Sequence, residues 1–340
     1  MDTEDFALSY DDVLLIPRYS ELDTRANADT SVNFCGWKFA LPVLPANMQS
    51  VINIDLAGYF SQQDYFYIYH RFGTSAAKTD TLSFVVKANL EKWKLISIST
   101  GVNEDTALIL DVISKTGQRI DFITIDVAHG HHKKVKERIA LIKKLLPKAK
   151  IIAGNVASPE AVQDLASWGA DAAKVGIGQG SICTTRFQTG FSVPMFSCVG
   201  TCASSNTPDS YYIVKDTDKK TKVSPYAGLP LIADGGLKYP GDIAKALVAG
   251  ATMVMSGALF ASCIDSPAEI KDGKKQYFGS TSFEAKKVNK NIEGKLLEIS
   301  SGCTIIERLD EIKQALQSSI SYSGGTNLAE FKNVDYVVIK

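Results

Sequence analysis

Short apolar runs rich in Val, Ile and Ala alternate along the chain with amphipathic stretches of helical length. The runs are LPVLPANM (41–48), YFYIYH (65–70), LISIST (95–100), FITIDVA (122–128), IIAGNV (151–156), AAKVG (172–176), LIADGG (231–236) and TMVMSG (252–257). Their apolarity is continuous rather than alternating, as a strand buried on both faces of a parallel sheet requires. Between them the spacing predicts helices. Val135, Ile139, Ile142 and Leu145 form a stripe over 131–146, and 159–169 opens on Pro159 and closes at Gly169. Eight strand candidates, mostly in strand-then-helix order, predict an α/β fold, a (β/α)8 TIM barrel. One segment breaks the rhythm. From Cys198 to Leu229 no helical stripe is visible, and YYIVKDTDKKTKV (211–223) reads as two short strands about a polar turn. This insertion around 203–228 is expected to replace a crossover helix.

Polar or small residues close the runs: Asn47, His70, Asp126, Asn155, Gly176, Asp234 and Gly257. Barrels of this kind carry their chemistry on the C-terminal rim of the strands. Loops begin there in any case, but seven residues of varied chemistry point to a rim site. The turn GIGQGS (176–181) lacks the third glycine and the downstream acid of a dinucleotide fingerprint. Its glycines can instead present N–H groups to a phosphate or carbonyl oxygens to a monovalent cation. IADGG (232–236) and MSGA (255–258) add two more glycine turns on late strands, where barrels commonly bind phosphate. Asp234 either accepts from a ribose diol or caps its turn, and Asp126 reads similarly. Cys183 follows the first turn, with Thr184 and Thr185 behind it. A thiolate is a strong nucleophile when a cation or N–H array lowers its pKa, yet spacing alone leaves a catalytic and a structural cysteine both open. His129, His131 and His132 have no compact Asp, Glu or Cys partner at ligand spacing, so no zinc site is expected. Cys198 and Cys202 have no matching second pair.

Composition narrows the partners. The 340 residues are 45% apolar and 22% charged, an ordinary globular balance with room for a large core. Thirty-seven basic and thirty-seven acidic residues cancel, so neither nucleic acid nor an acidic membrane surface is an expected partner. The acidic start MDTEDFALSYDDV has no signal-peptide core, and no run reaches the roughly 20 apolar residues of a membrane span. Six scattered cysteines are unlike a secreted disulfide framework, and the cytoplasm is the expected compartment.

GIGQGSICTTR, LPANMQSV, YIYHRF, TIDVAHGH, IIAGNV, LIADGG, GDIAKAL and QSSISYSGG together resemble the IMP dehydrogenase/GMP reductase family. The resemblance covers nearly the whole chain and is nearest the bacterial-type reductase branch. It implies one catalytic (β/α)8 barrel over 1–340 with a mobile flap, binding a purine 5′-monophosphate at its rim. It also implies that Cys183 attacks purine C2. Ser181, Gly236, Gly257 and Tyr277 would surround the phosphate, Asp234 would hold the ribose, and Ser280 and Thr281 would lie near the base. The carbonyls of Gly178, Gly180 and Cys183 match a monovalent-cation loop, with potassium the implied ion, and Asp126 matches the nicotinamide side.

Three features separate the branches. Only RFGTSAAKTDTL (71–82) follows the second strand, leaving no room for the regulatory domain pair common in the dehydrogenases. No Arg occurs between Tyr277 and Glu307, where the dehydrogenase flap supplies an Arg-Tyr pair that activates water. NIEGK (291–295) matches the reductase motif whose carboxylate, here Glu293, works with Thr185. The resemblance therefore implies NADPH-dependent reductive deamination of GMP to IMP and ammonia, in a homotetramer. The alternatives are a dehydrogenase without regulatory domains, and a member with an altered purine substrate or a binding-only role. Two departures stand out: Ala258 replaces a common Ser, and Gln179 replaces a common Pro and is expected to loosen the turn.

Overall fold

Seven of the eight apolar runs form strands of one parallel sheet. In the computed structural model, which describes residues 7–72, 80–204, 229–279, 282–286 and 292–339, the chain enters through β1 (Val13–Leu15) and the hairpin β2 (Val32–Phe34) and β3 (Trp37–Phe39). The barrel strands follow: β4 (Val43–Pro45), β5 (Ser97–Thr100), β6 (Phe122–Asp126), β7 (Lys150–Val156), β8 (Ala172–Val175), β9 (Leu231–Asp234) and β10 (Met253–Ser256). They are hydrogen-bonded in the order β4-β10-β9-β8-β7-β6-β5. The remaining run, 65–70, joins beyond β5 through one parallel bridge, Tyr69 to Ile98. Tyr69 N–H donates to the Ser97 carbonyl at 3.0 Å, and Ser99 N–H to that of Tyr69 at 2.9 Å. The sheet curls into a barrel.

Helices cover the outside: α1 (Ile54–Gln62), α2 (Asp80–Leu90), α3 (Glu104–Lys115), α4 (Lys133–Leu145) and α5 (Pro159–Trp168). Local chemistry sets their ends. Ser158 caps the α5 N-terminus by accepting from Ala161 N–H, and Gly169 at φ 98° ends the helix in the left-handed conformation glycine permits. After β8 come the short α6 (Thr185–Thr189) and then α7 (Met195–Ala203). The presence of α7 corrects the expectation that the insertion replaces a crossover helix. The crossover helix between β8 and β9 exists and packs on both strands. Its stripe was invisible because MFSCVGTCA is apolar or small all round, with Met195, Phe196, Cys198, Val199, Cys202 and Ala203 all buried. Most of the insertion, with the expected hairpin at 211–223, lies outside the described residues.

Downstream lie α8 (Pro240–Val248) and α9 (Ala258–Ala261), then an antiparallel sheet of β11 (Ile270–Lys271), β12 (Lys274–Phe278) and β13 (Leu296–Ser300), with α10 (Phe283–Lys286) between the last two. The long α11 (Ile305–Tyr322) follows, and β14 (Tyr336–Val338) pairs antiparallel with β1.

The β2–β3 hairpin plugs one end of the barrel. Phe34 and Phe39 pack on Phe66 at 5.2 and 5.1 Å between centroids, and Phe66 packs on Phe122 at 5.0 Å. Phe66 and Phe122 stand at the beginnings of their runs, so this aromatic layer closes the N-terminal mouth. The opposite rim, where the polar residues end the strands, remains for chemistry. Among the described residues no helix is long and apolar enough to cross a membrane.

Candidate active site

The turn after β8 is shaped by close backbone approach. Gly176 has φ 134°, and a Cβ there would lie 2.3 Å from the Asp234 carbonyl oxygen. Gly178 has φ 78°, and a Cβ there would lie 2.7 Å from Ser192 Oγ. Side chains at either position would drive the turn away from the β9 loop and from residue 192. Gln179 is tied into this turn by its side chain. Its Nε2 donates to Ser192 Oγ at 2.7 Å, and that hydroxyl donates to the Ile177 carbonyl at 2.8 Å. This side-chain clasp joins residues 177, 179 and 192.

The turn delivers Cys183 to the rim, where its N–H closes on the Gly180 carbonyl at 2.9 Å. The segment then forms a miniature ladder with the strand returning toward β13. Thr184 N–H donates to the Glu293 carbonyl at 2.8 Å, and Lys295 N–H to the Ile182 carbonyl at 2.9 Å. This pairing brings Glu293 beside the thiol despite 108 residues of separation from Thr185. Cys183 Sγ donates to Thr185 Oγ1 at 3.2 Å, and Thr185 Oγ1 donates to Glu293 Oε2 at 2.6 Å. Thiol, hydroxyl and carboxylate form one continuous proton path. All three groups are partly exposed, so a substrate can reach them.

Beside the turn, Asp234 ends β9. Its Oδ2 accepts from Lys174 Nζ at 2.6 Å and from Asn155 Nδ2 at 2.9 Å. Lys174 also lies 3.0 Å from Asp126 Oδ1 at the end of β6. Burial would push the Asp126 carboxyl up, but Lys174 and Arg71 outweigh it and hold the group below its usual range. Burial likewise opposes the charge on Lys174, yet Asp126 and Asp234 together raise it above an ordinary lysine. Asp126 and Lys174 therefore both stay charged at neutral pH.

Tyr277 reaches in from β12. A Cβ on Gly257 would lie 2.1 Å from its hydroxyl, so glycine makes room for the phenol. Burial pushes the Tyr277 phenol well up, with a hydrogen bond to Ser181 pulling the other way, so it stays a neutral donor. Gly236, at φ 80°, continues the β9 loop, whose Gly235 would carry a Cβ only 3.1 Å from Gly180 N. Ser181, Gly257 and Tyr277 thus adjoin one another, and the Asp234–Gly236 loop abuts the cysteine turn. Ser280 and Thr281 lie outside the described residues.

A model of the IMP dehydrogenase / GMP reductase domain matches residues 7–339. The chain belongs to that family. It is 42% identical over 337 residues to a protein named GMP reductase from Leptothrix cholodnii, covering 97% of this chain and 95% of that one. A GMP reductase from Helicobacter pylori is also 42% identical, over 97% of this chain and 96% of its own. One from Lactococcus lactis subsp. cremoris is 40% identical over 346 residues, covering 100% of this chain and 97% of the relative.

Within this IMP dehydrogenase/GMP reductase member, several site residues escaped sequence reasoning. Lys174 is an isolated cation inside the apolar run AAKVG, a signal that was present but unread. Met48 lies 3.1 Å from where a Gly257 Cβ would stand and 3.9 Å from that of Gly279, walling the site opposite Ile182. Arg71 stacks over Phe72 at 4.3 Å, and its Nε is buried without a hydrogen-bond partner among the described residues, as is His70 Nδ1. Two of the other three histidines have local work: His131 Nε2 bonds Asp164 at 2.8 Å, and His132 accepts from Lys134 N–H at 3.1 Å.

Proposed function

We propose that this protein catalyses the NADPH-dependent reductive deamination of GMP to IMP and ammonia, through a covalent bond between Cys183 and purine C2. The observation that carries the reading is the unbroken path from the Cys183 thiol through Thr185 to Glu293. Both hydrogen bonds run toward the carboxylate, so Glu293 is the acceptor for the thiol proton. Moving that proton along the path leaves a thiolate, which adds to C2, and a protonated Glu293. An amine departs from carbon only as ammonia or ammonium, so it must gain a proton on leaving. Glu293 returns the proton through Thr185 to the 2-amino group, and ammonia is expelled while sulfur remains on C2. NADPH, when bound, supplies the hydride that C2 then receives. Re-expulsion of the Cys183 thiolate yields IMP.

Binding roles follow from the neighbouring groups. Tyr277 and Ser181 offer hydroxyl donors to the phosphate beside the bare backbone of Gly236 and Gly257, and Ala258 leaves that cradle one hydroxyl short. Asp234 has Oδ2 satisfied from within the protein, which leaves Oδ1 for a ribose hydroxyl. Ser280 and Thr281 complete the proposal at the base. His70 and Arg71, each with a buried polar atom lacking a partner among the described residues, suit a polar dinucleotide on that side, where Arg71 also acts on Asp126. The carbonyls of Gly178, Gly180 and Cys183 are neutral oxygens that suit a monovalent cation such as potassium. The same reading takes residues 1–340 as one catalytic barrel, working in the cytoplasm as a homotetramer.

A paired absorbance assay tests the activity. Loss of NADPH absorbance with GMP is the expected outcome. Gain of NADH absorbance from IMP and NAD would instead make the protein a dehydrogenase, and tight GMP binding with neither signal would make it a binder.

A further inference from the structure

Lys174 stands on β8 with its side chain 3% exposed, among the most buried charges of the molecule. Its ammonium is shared: 2.6 Å to Asp234 Oδ2 and 3.0 Å to Asp126 Oδ1. These carboxylates end different strands, β9 and β6, on either side of β8 in the sheet, with β7 between β8 and β6. Gly154 on β7 makes the approach possible, since a Cβ there would lie 2.7 Å from Lys174 Cβ and 2.4 Å from its carbonyl oxygen. Asn155, next along β7, donates to Asp234 Oδ2 at 2.9 Å and to the Gly176 carbonyl at 2.7 Å. Arg71, from the end of the 65–70 run, faces Asp126 from the far side.

We propose that Lys174 is a positioning residue that holds the nucleotide carboxylate Asp234 and the cofactor-side carboxylate Asp126 on one ammonium, so that both half-sites depend on it. The proposal rests on the roles given above to those two carboxylates. Lys174 never touches the reacting atoms. It fixes one oxygen of Asp234 and thereby turns the other toward the ribose. Without a cation between them, the two partly buried carboxylates repel across the strands that separate them. Each then loses orientation, although only one ligand binds at each. Because the ammonium is shared, a change at either carboxylate is felt at the other.

The experiment measures KM for GMP and for NADPH separately, with kcat, in wild type, Lys174→Gln, Lys174→Arg and Asp126→Asn. Lys174→Gln is expected to raise both KM values at least tenfold, with kcat falling less than either. Lys174→Arg recovers at least part of both KM values, because the guanidinium can still bridge two carboxylates. Alkylation of Cys183 by iodoacetamide keeps its wild-type rate in each variant, showing that the cysteine loop is intact. If Lys174→Gln does not fold, Asp126→Asn decides: it is expected to shift the KM for GMP at least threefold, although GMP does not touch Asp126. A change in only one KM, a fall in kcat with both KM values unchanged, or an Asp126→Asn variant with wild-type KM for GMP would overturn the proposal. Wild-type protein that does not oxidise NADPH with GMP would sink the functional reading instead, a separate outcome.

Discussion

In the proposed mechanism Glu293 exchanges protons through Thr185, so its removal acts on the thiol as well as on the leaving group. Glu293→Gln keeps the shape and the hydrogen bond from Thr185 but cannot take the proton. Its kcat is expected to fall by about 10²–10⁴, the usual worth of a positioned acid or base. Iodoacetamide labelling of Cys183 near pH 7 slows in the same variant; wild-type labelling with wild-type kcat would remove the relay from the account. The role proposed for Tyr277 is different, that of a buried neutral donor to the phosphate. Tyr277→Phe forfeits a hydrogen bond to a charged group, about 1.5–3 kcal/mol, and raises the KM for GMP roughly 10- to 100-fold with little change in kcat. The sequence singled out Cys183, Thr185, Asp234 and Tyr277 through their motifs. It could not show the hydrogen-bond directions, since these depend on a ladder between segments 108 residues apart. Lys174 was missed for a related reason: a lysine in a buried strand makes sense only when its two carboxylates are seen beside it.

At the scale of elements, the barrel strands were readable because a parallel sheet is covered on both faces and its strands are apolar throughout. The sheet around β12 and β13 was not readable as strands. β13 has the burial pattern exposed, intermediate, exposed, intermediate, exposed, which leaves no apolar run. α7 failed the opposite way, being apolar on nearly every side. The Gln179–Ser192 clasp makes a prediction about the turn between β8 and α6. Ser192→Ala breaks both of its hydrogen bonds, leaving the Gln179 amide and the Ile177 carbonyl without that partner. A loss of about 1 kcal/mol in unfolding free energy and a several-fold rise in the KM for GMP are expected, measured by urea titration and steady-state kinetics. Unchanged values for both would show that the glycines hold the turn unaided.

The whole molecule carries a pH signature that does not come from the Asp126–Lys174 pair. Asp126 is held low and Lys174 high, so neither titrates near neutrality. His70 does. Burial pushes its pKa down to about 4, because the barrel wall disfavours the imidazolium. An unfolded His titrates near 6.5, so below that pH the unfolded chain gains a proton that the folded one refuses. The stabilisation is fully present above pH 6.5 and is lost as pH falls toward 4, by about 3 kcal/mol in all. Urea midpoints of wild type are expected to drop between pH 6.5 and 4.5, with a shallower drop in His70→Gln. Equal slopes for the two proteins would assign the acid sensitivity elsewhere.

Every role given to the rim depends on sulfur bonding to the purine ring, and one comparison reaches that bond most directly. Cys183→Ala is assayed for GMP binding by calorimetry and for GMP-dependent NADPH oxidation in the same preparation. The dissociation constant for GMP is expected to stay within about threefold of wild type, since the proposed phosphate and ribose contacts survive. Turnover falls by at least about 10⁴, as expected when a covalent nucleophile is removed. Turnover within tenfold of wild type would contradict the proposed mechanism.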